Sequence, residues 1–543
     1  MSTPQSPRHA GPLQDMVTTP ERRSAYRKAG LWTDETLSRR LAANAGRAPD
    51  RVAVIDSATG RSSTYAELNR DADRVVGYLS AVLGVRPGDV VAVQLPNWYE
   101  TVAVHLGVLR LGAVLNPMLP IYREREMAHM LATAATRVLI TPATYRNHDH
   151  AAMAERLREA VPTLCHVLTV APPGQPGSQP PFWAEADTAG ASGQDACAVS
   201  ELLFTSGTES TPKAIMHTEE TAGAGVRLAA QALRISDGDV VWMPSPIGHS
   251  TGFNFGVRMA VHHGLPIVLQ DRWDAQAAVA LIARYRVSYT VAATTFLADL
   301  VRAAREKPVD LASLRLFCSG GAPVPAPLIE QAEAVGVPVL RLYGSTEVLV
   351  ATVNRPRSPL AKRTGTDGYP LDSVEVEVRT DGRAARNEPG EIYVRSPSGC
   401  VGFFADPERT ATTFDEQGWI ATGDLGVLDH EGYLTIVGRR KEIIIRGGLN
   451  VAPRELEELI GELPQVSAVA VVPLPHARLG EIGCACVVLA AGAALTLDEV
   501  LVHLNVRGVA RYKHPERLEI LDKLPTTPTG KIQKHELVRA LTG

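Results

Sequence analysis

A chain of 543 residues is longer than one hydrophobic core supports, so at least two domains are expected. Its 45% apolar and 21% charged residues suit a globular protein, and a net charge of −4 argues against long-range attraction to nucleic acid or anionic membrane. The six cysteines are scattered, and the one close pair, Cys484 and Cys486, has no partners at zinc spacing, so a reduced, cytoplasmic protein is expected.

The opening "MSTPQSPRHAGPLQD" has no apolar signal segment, and residues 1–34 read as a tail or an edge element. The longest uncharged apolar run, 482–497, is too short and too Gly-rich to span a membrane. From Leu37 helices and strands alternate. "TLSRRLAANAGR" predicts an amphipathic helix and "VAVID" a strand; "TYAELNRDADRVVGYLS" predicts a helix capped by its threonine. "GDVVAVQLP" is a strand, and "YETVAVHLGVLRLGAVLNP" a buried helix followed by a strand. Further strands are expected at "RVLIT", "HVLTV", "VVWMP", "PIVLQ", "YTVAA" and "LRLFCSG". That order predicts mostly parallel α/β layering up to about Tyr343.

Past Tyr343 the pattern changes to short period-two runs with Asp-Gly and Glu-Gly turns, "SVEVEVRTDGRAA", "GEIYVRSP" and "GYLTIVGRRKEIIIRGG", which predict antiparallel hairpins. The last hundred or so residues form a compact α+β unit. The expected organisation is a tail (1–34), a large α/β domain of βαβ subdomains with a small antiparallel β part (35–440), and a small mobile α+β domain (441–543).

The stretch "LLFTSGTESTPKAIMHT", Leu202 to Thr218, sets hydroxyls and small residues between a strand-like run and a helix. It is not a Walker loop, because Gly207 is not followed by Lys at that spacing. Its backbone N–H groups and hydroxyls can still form a nest for phosphate oxygens, with Lys213 adding charge; alone, it reads equally as a polar surface turn. Four further motifs accompany it in order: "YGSTE" at Tyr343 to Glu347, "GWIATGDLG" at Gly418 to Gly426, "GRRKEIIIRGGLN" at Gly438 to Asn450, and "PTTPTGK" at Pro525 to Lys531.

Together these motifs resemble the adenylate-forming superfamily of acyl-CoA synthetases, peptide-synthetase adenylation domains and luciferases, over roughly residues 35–535. The segments "MPSPIGHSTGFNFGV", "TTFLADLVRAA" and "LRLFCSGGAPVPAPL" resemble more narrowly the ligases of cyclohexanecarboxylate and of short or medium fatty acids. The resemblance implies that Thr205, Ser206, Gly207, Thr208 and Lys213 hold the β- and γ-phosphates of ATP. The sequence departs from the family at Glu209, Ser210, Thr211 and Ala214, which leaves the fine geometry of the loop open; Glu209 is expected to face solvent.

Joining a carboxylate to an α-phosphate brings two anions together, so positioned cations and donors lower the barrier. By resemblance Lys531 bridges carboxylate and α-phosphate. Glu347 supplies a carboxylate to Mg²⁺, and Thr346 a hydroxyl to the α-phosphate. Tyr343, with Gly344 beside it, offers a flat face to adenine. Asp424 accepts from the ribose hydroxyls, with Arg439 nearby. Gly320 and Gly321 let the backbone approach adenine and the acyl chain. Lys441 stands at the family's hinge, and Gly447 and Gly448 line a tunnel for the CoA thiol arm, although locally that pair reads equally as a hairpin turn. The acid is expected near His249, Thr251, Phe253, Thr295, Phe296 and Gly320, in a mostly apolar pocket, with His249 at the wall towards the thiol tunnel. Arg446 and Arg454 are expected to meet the CoA phosphates.

The cofactors expected are ATP, Mg²⁺ and CoA, and the partner a compact carboxylic acid. Adenylation with another acceptor or oxyanion remains open, as carrier-protein loading or nitrite activation for diazotising an aryl amine. A non-catalytic nucleotide binder is disfavoured because Lys531, Glu347 and Asp424 are all present. The sequence leaves a homodimer open.

Overall fold

The computed structural model describes residues 13–542 apart from 175–179, 189–194, 206–211, 308, 323, 447–448, 477–478, 508, 510 and 528–529. Two largely parallel sheets carry most of the chain. The six-stranded sheet runs Lys213–Thr218, Val199–Thr205, Val114–Pro117, Val90–Val93, Val138–Pro142, His166–Val170. The nine-stranded sheet has a parallel centre, from Val339–Ser345 through Leu316–Ser319, Tyr289–Val291, Val241–Met243 and Ile267–Leu269 to Val52–Asp56. Antiparallel strands close its two edges. The helix Tyr99–Leu111 is buried at nearly every position, as its lack of a polar face requires. A five-stranded antiparallel sheet follows, ending with Ile420–Leu428 and Leu434–Arg439. The last unit pairs Val466–His476 with Gly480–Leu489 and packs the helices Pro453–Ile460 and Lys534–Thr542 on Val466–His476. This is the α/β architecture with a small α+β end that the sequence predicts.

The N-terminal segment is more than a tail. Pro20–Lys28 is a helix capped by Thr19, and it buries no residue of its own. Polar contacts hold it instead: Arg23 and Arg27 grip Glu220, itself 1% exposed, and nearby the Trp32 Nε1–H donates to the Pro397 carbonyl at 2.7 Å. A helix without an apolar stripe gives no periodic signal, which is why "PERRSAYRK" does not read as one.

A second buried polar cluster fixes the segment after His249. A π-helical turn, Phe253–Arg258, brings Arg258 into the core, where it donates to Glu219 at 2.9 and 3.0 Å and also pairs with Glu201. Removing one member of such a cluster costs about 3–5 kcal/mol because the other charges stay buried. Among the described residues no helix is long and apolar enough to cross a membrane.

Candidate active site

Thr205 ends one strand and Lys213 begins the next, paired in antiparallel register. The hydroxyl-rich loop between them, with Ser206, Gly207, Thr208 and Glu209, lies outside the described residues, as do Gly447 and Gly448. The strand Val339–Ser345 delivers Tyr343, Gly344 and then the turn with Thr346 and Glu347. Gly344 is required there: a β-carbon would stand 1.8 Å from the Leu349 carbonyl oxygen. Tyr343 is buried, and its hydroxyl donates to Asp424 Oδ2 at 2.8 Å; Arg439 Nε donates to Asp424 Oδ1 at 2.9 Å. Burial and the neighbouring carboxylate push the Tyr343 phenol up. The result is a buried acid with each oxygen engaged by a protein donor.

Lys531 enters from the small domain. Thr527 shapes its loop: its N–H donates to the Lys531 carbonyl at 2.6 Å, its Oγ1 accepts from the Lys531 N–H at 3.0 Å, and Gly530 takes φ +83°. The side chain then crosses to the large domain. A β-carbon on Gly321 would stand 3.6 Å from Lys531 Cε, and one on Gly530 would stand 3.6 Å from Thr295 Oγ1. Among the described residues no ion pair takes the Lys531 ammonium, and no hydrogen bond or ion pair takes the Glu347 carboxylate. Lys531 keeps contact with solvent, so it stands in a cleft and not in a core. Even so, the protein packed around it lowers its pKa by desolvation, and Arg439 adds to the effect; Asp424 and Glu347 work the other way.

His249 lies next to this cluster. Its Nδ1 accepts from the Thr251 N–H at 3.2 Å, which leaves the proton of the neutral ring on Nε2. Burial, then Lys531, pushes its pKa down to about 4. The structure thus brings together Lys531, Glu347, Asp424, Arg439, Tyr343, His249, Gly321 and Thr295. Two expected pocket residues point elsewhere. Phe253 is wholly buried, edge-on to His105 at 5.0 Å, and Phe296 packs edge-on to Trp273 at 4.6 Å. Both sit on helical turns whose inward face the sequence period alone does not assign. A cavity of about 850 Å³ lined by Trp98, Tyr145, Arg146, Asp271 and Arg284 contains none of the clustered residues.

The arginines expected at the CoA phosphates are engaged with protein in this arrangement. Arg446 pairs with Glu516. Arg454 of the small domain donates to Glu458 at 3.0 Å and across to Asp367 Oδ2 at 3.3 Å. Asp367 also takes two bonds from Arg341, at 2.8 and 3.1 Å, and the Ile436 N–H at 2.8 Å. Burial opposes the charge of Asp367, yet Arg454 and Arg341 hold its pKa below the ordinary carboxylate range. Sequence reasoning missed this clamp because its members lie far apart in the chain.

The donors suit a nucleotide and a metal. Among the described residues no three His, Cys, Asp or Glu side chains form a metal cage. One open carboxylate is what Mg²⁺ needs when phosphates and water supply its other oxygens.

Architecture and cluster are those of an adenylate-forming enzyme. The profile described as AMP-binding enzyme matches residues 41–404, and that of the AMP-binding enzyme C-terminal domain matches 455–531. The chain belongs to the AMP-binding enzyme family. It is 36% identical over 535 residues to a medium-chain fatty-acid–CoA ligase of Escherichia coli (strain K12), covering 96% of this chain and 94% of the relative. It is 33% identical to a salicyl-AMP ligase / salicyl-S-ArCP synthetase of Mycobacterium tuberculosis, covering 98% and 95%. ATP-bound MatB from Rhodopseudomonas palustris superposes with a TM-score of 0.84 at 28% identity, over 93% of this chain and 99% of that one. The protein is therefore an AMP-forming ligase of the acyl-CoA synthetase type, with ATP, Mg²⁺ and CoA as its cofactors.

Buried neutral histidines give the fold a pH dependence. Burial pushes His105 down to about 3 and His217 down to about 4. A folded pKa below the unfolded one means that stability is complete above about pH 6.5 and lost as pH falls towards 4, by about 1.4 kcal/mol per pH unit per ring. Glu100 and Asp271, raised by burial, work in the opposite direction. The denaturation midpoint is expected to fall from pH 7.5 to pH 5.5, and His105→Phe to flatten that fall; an unchanged slope in the variant would count against the assignment.

Proposed function

We propose that this enzyme adenylates a compact carboxylic acid, alicyclic, aromatic or of short to medium chain, and transfers the acyl group to CoA. The observation that carries this reading is the Lys531 ammonium, without an ion-pair partner among the described residues, set against Gly321, His249, Glu347 and Asp424 across the domain cleft. In the first half-reaction a carboxylate oxygen attacks the α-phosphorus and pyrophosphate leaves. Lys531 offsets the repulsion between the two anions, and Thr346 donates to the α-phosphate. Glu347 would hold Mg²⁺, which supplies positive charge to the phosphates. Asp424, braced by Tyr343 and Arg439, accepts from the ribose, while Gly321 leaves room for adenine; Gly320 is instead required by its own packing, since a β-carbon there would stand 2.4 Å from the Leu342 carbonyl oxygen. The loop from Thr205 to Lys213 receives the β- and γ-phosphates. His249, Thr251, Thr295 and Gly320 face the acid, with Phe253 and Phe296 behind them.

In the second half-reaction the thiol sulfur attacks the acyl carbonyl and AMP leaves. The small domain, residues 441–543, turns about Lys441 so that the Gly447–Gly448 segment replaces Lys531 at the cleft. Turning breaks the Arg454–Asp367 pair, which frees Arg454 for the CoA phosphates. The names of the two curated relatives, a medium-chain fatty-acid ligase and a salicyl-AMP ligase, support a compact acid.

A panel of acids with ATP and Mg²⁺, each with CoA, a phosphopantetheinyl carrier protein, nitrite plus an aminoaryl acid, or no acceptor, tests the proposal by mass spectrometry. Acyl-CoA from a compact acid is the expected product. Preference for a long fatty acid or a free amino acid overturns the substrate class. Acyl transfer to the carrier alone, or AMP release only with nitrite and the amine, overturns the acceptor.

A further inference from the structure

His217 stands four residues beyond Lys213 on the strand Lys213–Thr218 and is wholly buried. Its Nε2 lies 2.7 Å from the carbonyl oxygen of Thr346, and its Nδ1 lies 3.1 Å from Thr221 Oγ1. A carbonyl only accepts, so the ring carries its proton on Nε2, and Nδ1 faces the Thr221 hydroxyl. Burial keeps the ring neutral by pushing its pKa down to about 4, although the Thr346 carbonyl and Glu347 oppose that shift.

This bond is one of three that hold consecutive carbonyls. Thr346 is held by His217, Glu347 by the Cys400 N–H at 2.7 Å, and Val348 by Ser398 Oγ at 3.0 Å. With its backbone pinned at every residue, the turn can present the Thr346 hydroxyl and the Glu347 carboxylate in one fixed direction. Of the three donors only His217 belongs to the strand that begins at Lys213. It therefore ties the end of the phosphate loop to the residue before the metal-facing carboxylate.

We propose that His217 is a positioning residue for adenylation, whose Nε2–H fixes the Thr346 carbonyl and so sets Glu347 relative to the strand that follows the phosphate loop. This rests on the reading of Glu347 as the Mg²⁺ carboxylate. Partners that orient a metal ligand typically matter tenfold to a hundredfold when removed. His217 touches neither acid nor thiol, so the second half-reaction has no need of it.

The test compares His217→Leu, His217→Asn, His217→Gln and Glu347→Gln. It reads acid-dependent ATP–pyrophosphate exchange across a Mg²⁺ titration, thioester formation from supplied acyl-AMP, and melting temperature. His217→Leu is expected to slow exchange by roughly tenfold to a hundredfold and to raise the half-saturating Mg²⁺ concentration severalfold. Thioester formation should stay within about threefold of the parent. The Gln amide reaches about as far as Nε2 and should recover most of the loss; the Asn amide reaches only as far as Nδ1 and should not. If His217→Leu does not fold, the Gln-over-Asn order in Mg²⁺ requirement decides the matter. Equal losses in both half-reactions, or no change in Mg²⁺ requirement when Glu347→Gln does change it, would overturn the role of His217. An unchanged Mg²⁺ requirement in Glu347→Gln would instead overturn the reading of Glu347.

Discussion

Replacing Lys531 by alanine is expected to lower acid-dependent ATP–pyrophosphate exchange by roughly 10²–10³-fold, the usual consequence of removing one charge-stabilising donor from a reacting centre. The same variant should convert supplied acyl-AMP and CoA into acyl-CoA within about threefold of the parent rate. The asymmetry follows from the geometry. Lys531 reaches across to Gly321 and His249 in the arrangement that sets Thr295 against Gly530 and Arg454 on Asp367, and under the proposed turn of the small domain it leaves the cleft before the thiol attacks. Its ammonium has no ion-pair partner among the described residues, and in the function proposed above it meets the negative charge of the substrates. Lys531→Arg is a stringent second variant, since it keeps the charge but spreads it over a planar guanidinium in place of a point ammonium, and its exchange rate is expected to stay well below that of the parent. Near-normal pyrophosphate exchange in Lys531→Ala would sink the assignment, and so would an equal loss in both half-reactions.

Much of this arrangement is legible in the sequence because it rests on local chemistry. The strands at Val90–Val93, Val138–Pro142 and Leu316–Ser319 are buried on both faces and read as short apolar runs. The hairpins after Tyr343 read from period-two alternation and their Asp-Gly and Glu-Gly turns. The site residues read from motifs in which hydroxyls, glycines and single charges sit where a packed element would not put them. What stayed hidden is non-local. His217 and Arg258 look like ordinary polar residues in a strand and a helix, and only the fold shows that each is buried against a partner far along the chain. Arg454 reads as a group for the CoA phosphates, and in this arrangement the meeting of the two domains occupies it. Phe253 and Phe296 carry a related lesson: an aromatic residue beside a motif is apolar whether it lines the cleft or backs it. The direction in which it points is set by His105 and Trp273, which no local pattern names.

Lys441→Pro is expected to leave ATP–pyrophosphate exchange within about threefold of the parent and to cut acyl-CoA formation by about a hundredfold or more. Lys441 is the middle residue of a single 3₁₀ turn, Arg440–Glu442, that joins the strand Leu434–Arg439 of the large domain to Ile444–Arg446 of the small one. Each end of the connection is tied down. Arg439 holds Asp424 at 2.9 Å on the large-domain side, and Glu442 accepts from Lys534 at 3.1 Å on the small-domain side. Arg439 is extended at φ −118°, and Ile443 on the far side of the turn has φ −62° and ψ 129°. Arg440 is tied as well, its Nη1 to Glu391 Oε2 at 3.1 Å, which leaves Lys441 as the residue at which we propose that the connection turns. Proline fixes φ near −65°, a value a 3₁₀ turn already uses, so the docked arrangement should survive while rotation about Lys441 is lost. Acyl-AMP supplied from outside should not rescue the variant, which separates it from Lys531→Ala. Lys441→Ala provides the control: it removes the side chain but not the rotation, and both half-reactions should stay within about threefold. If Lys441→Pro loses both half-reactions equally, or keeps overall turnover, the two domains do not pivot at this residue.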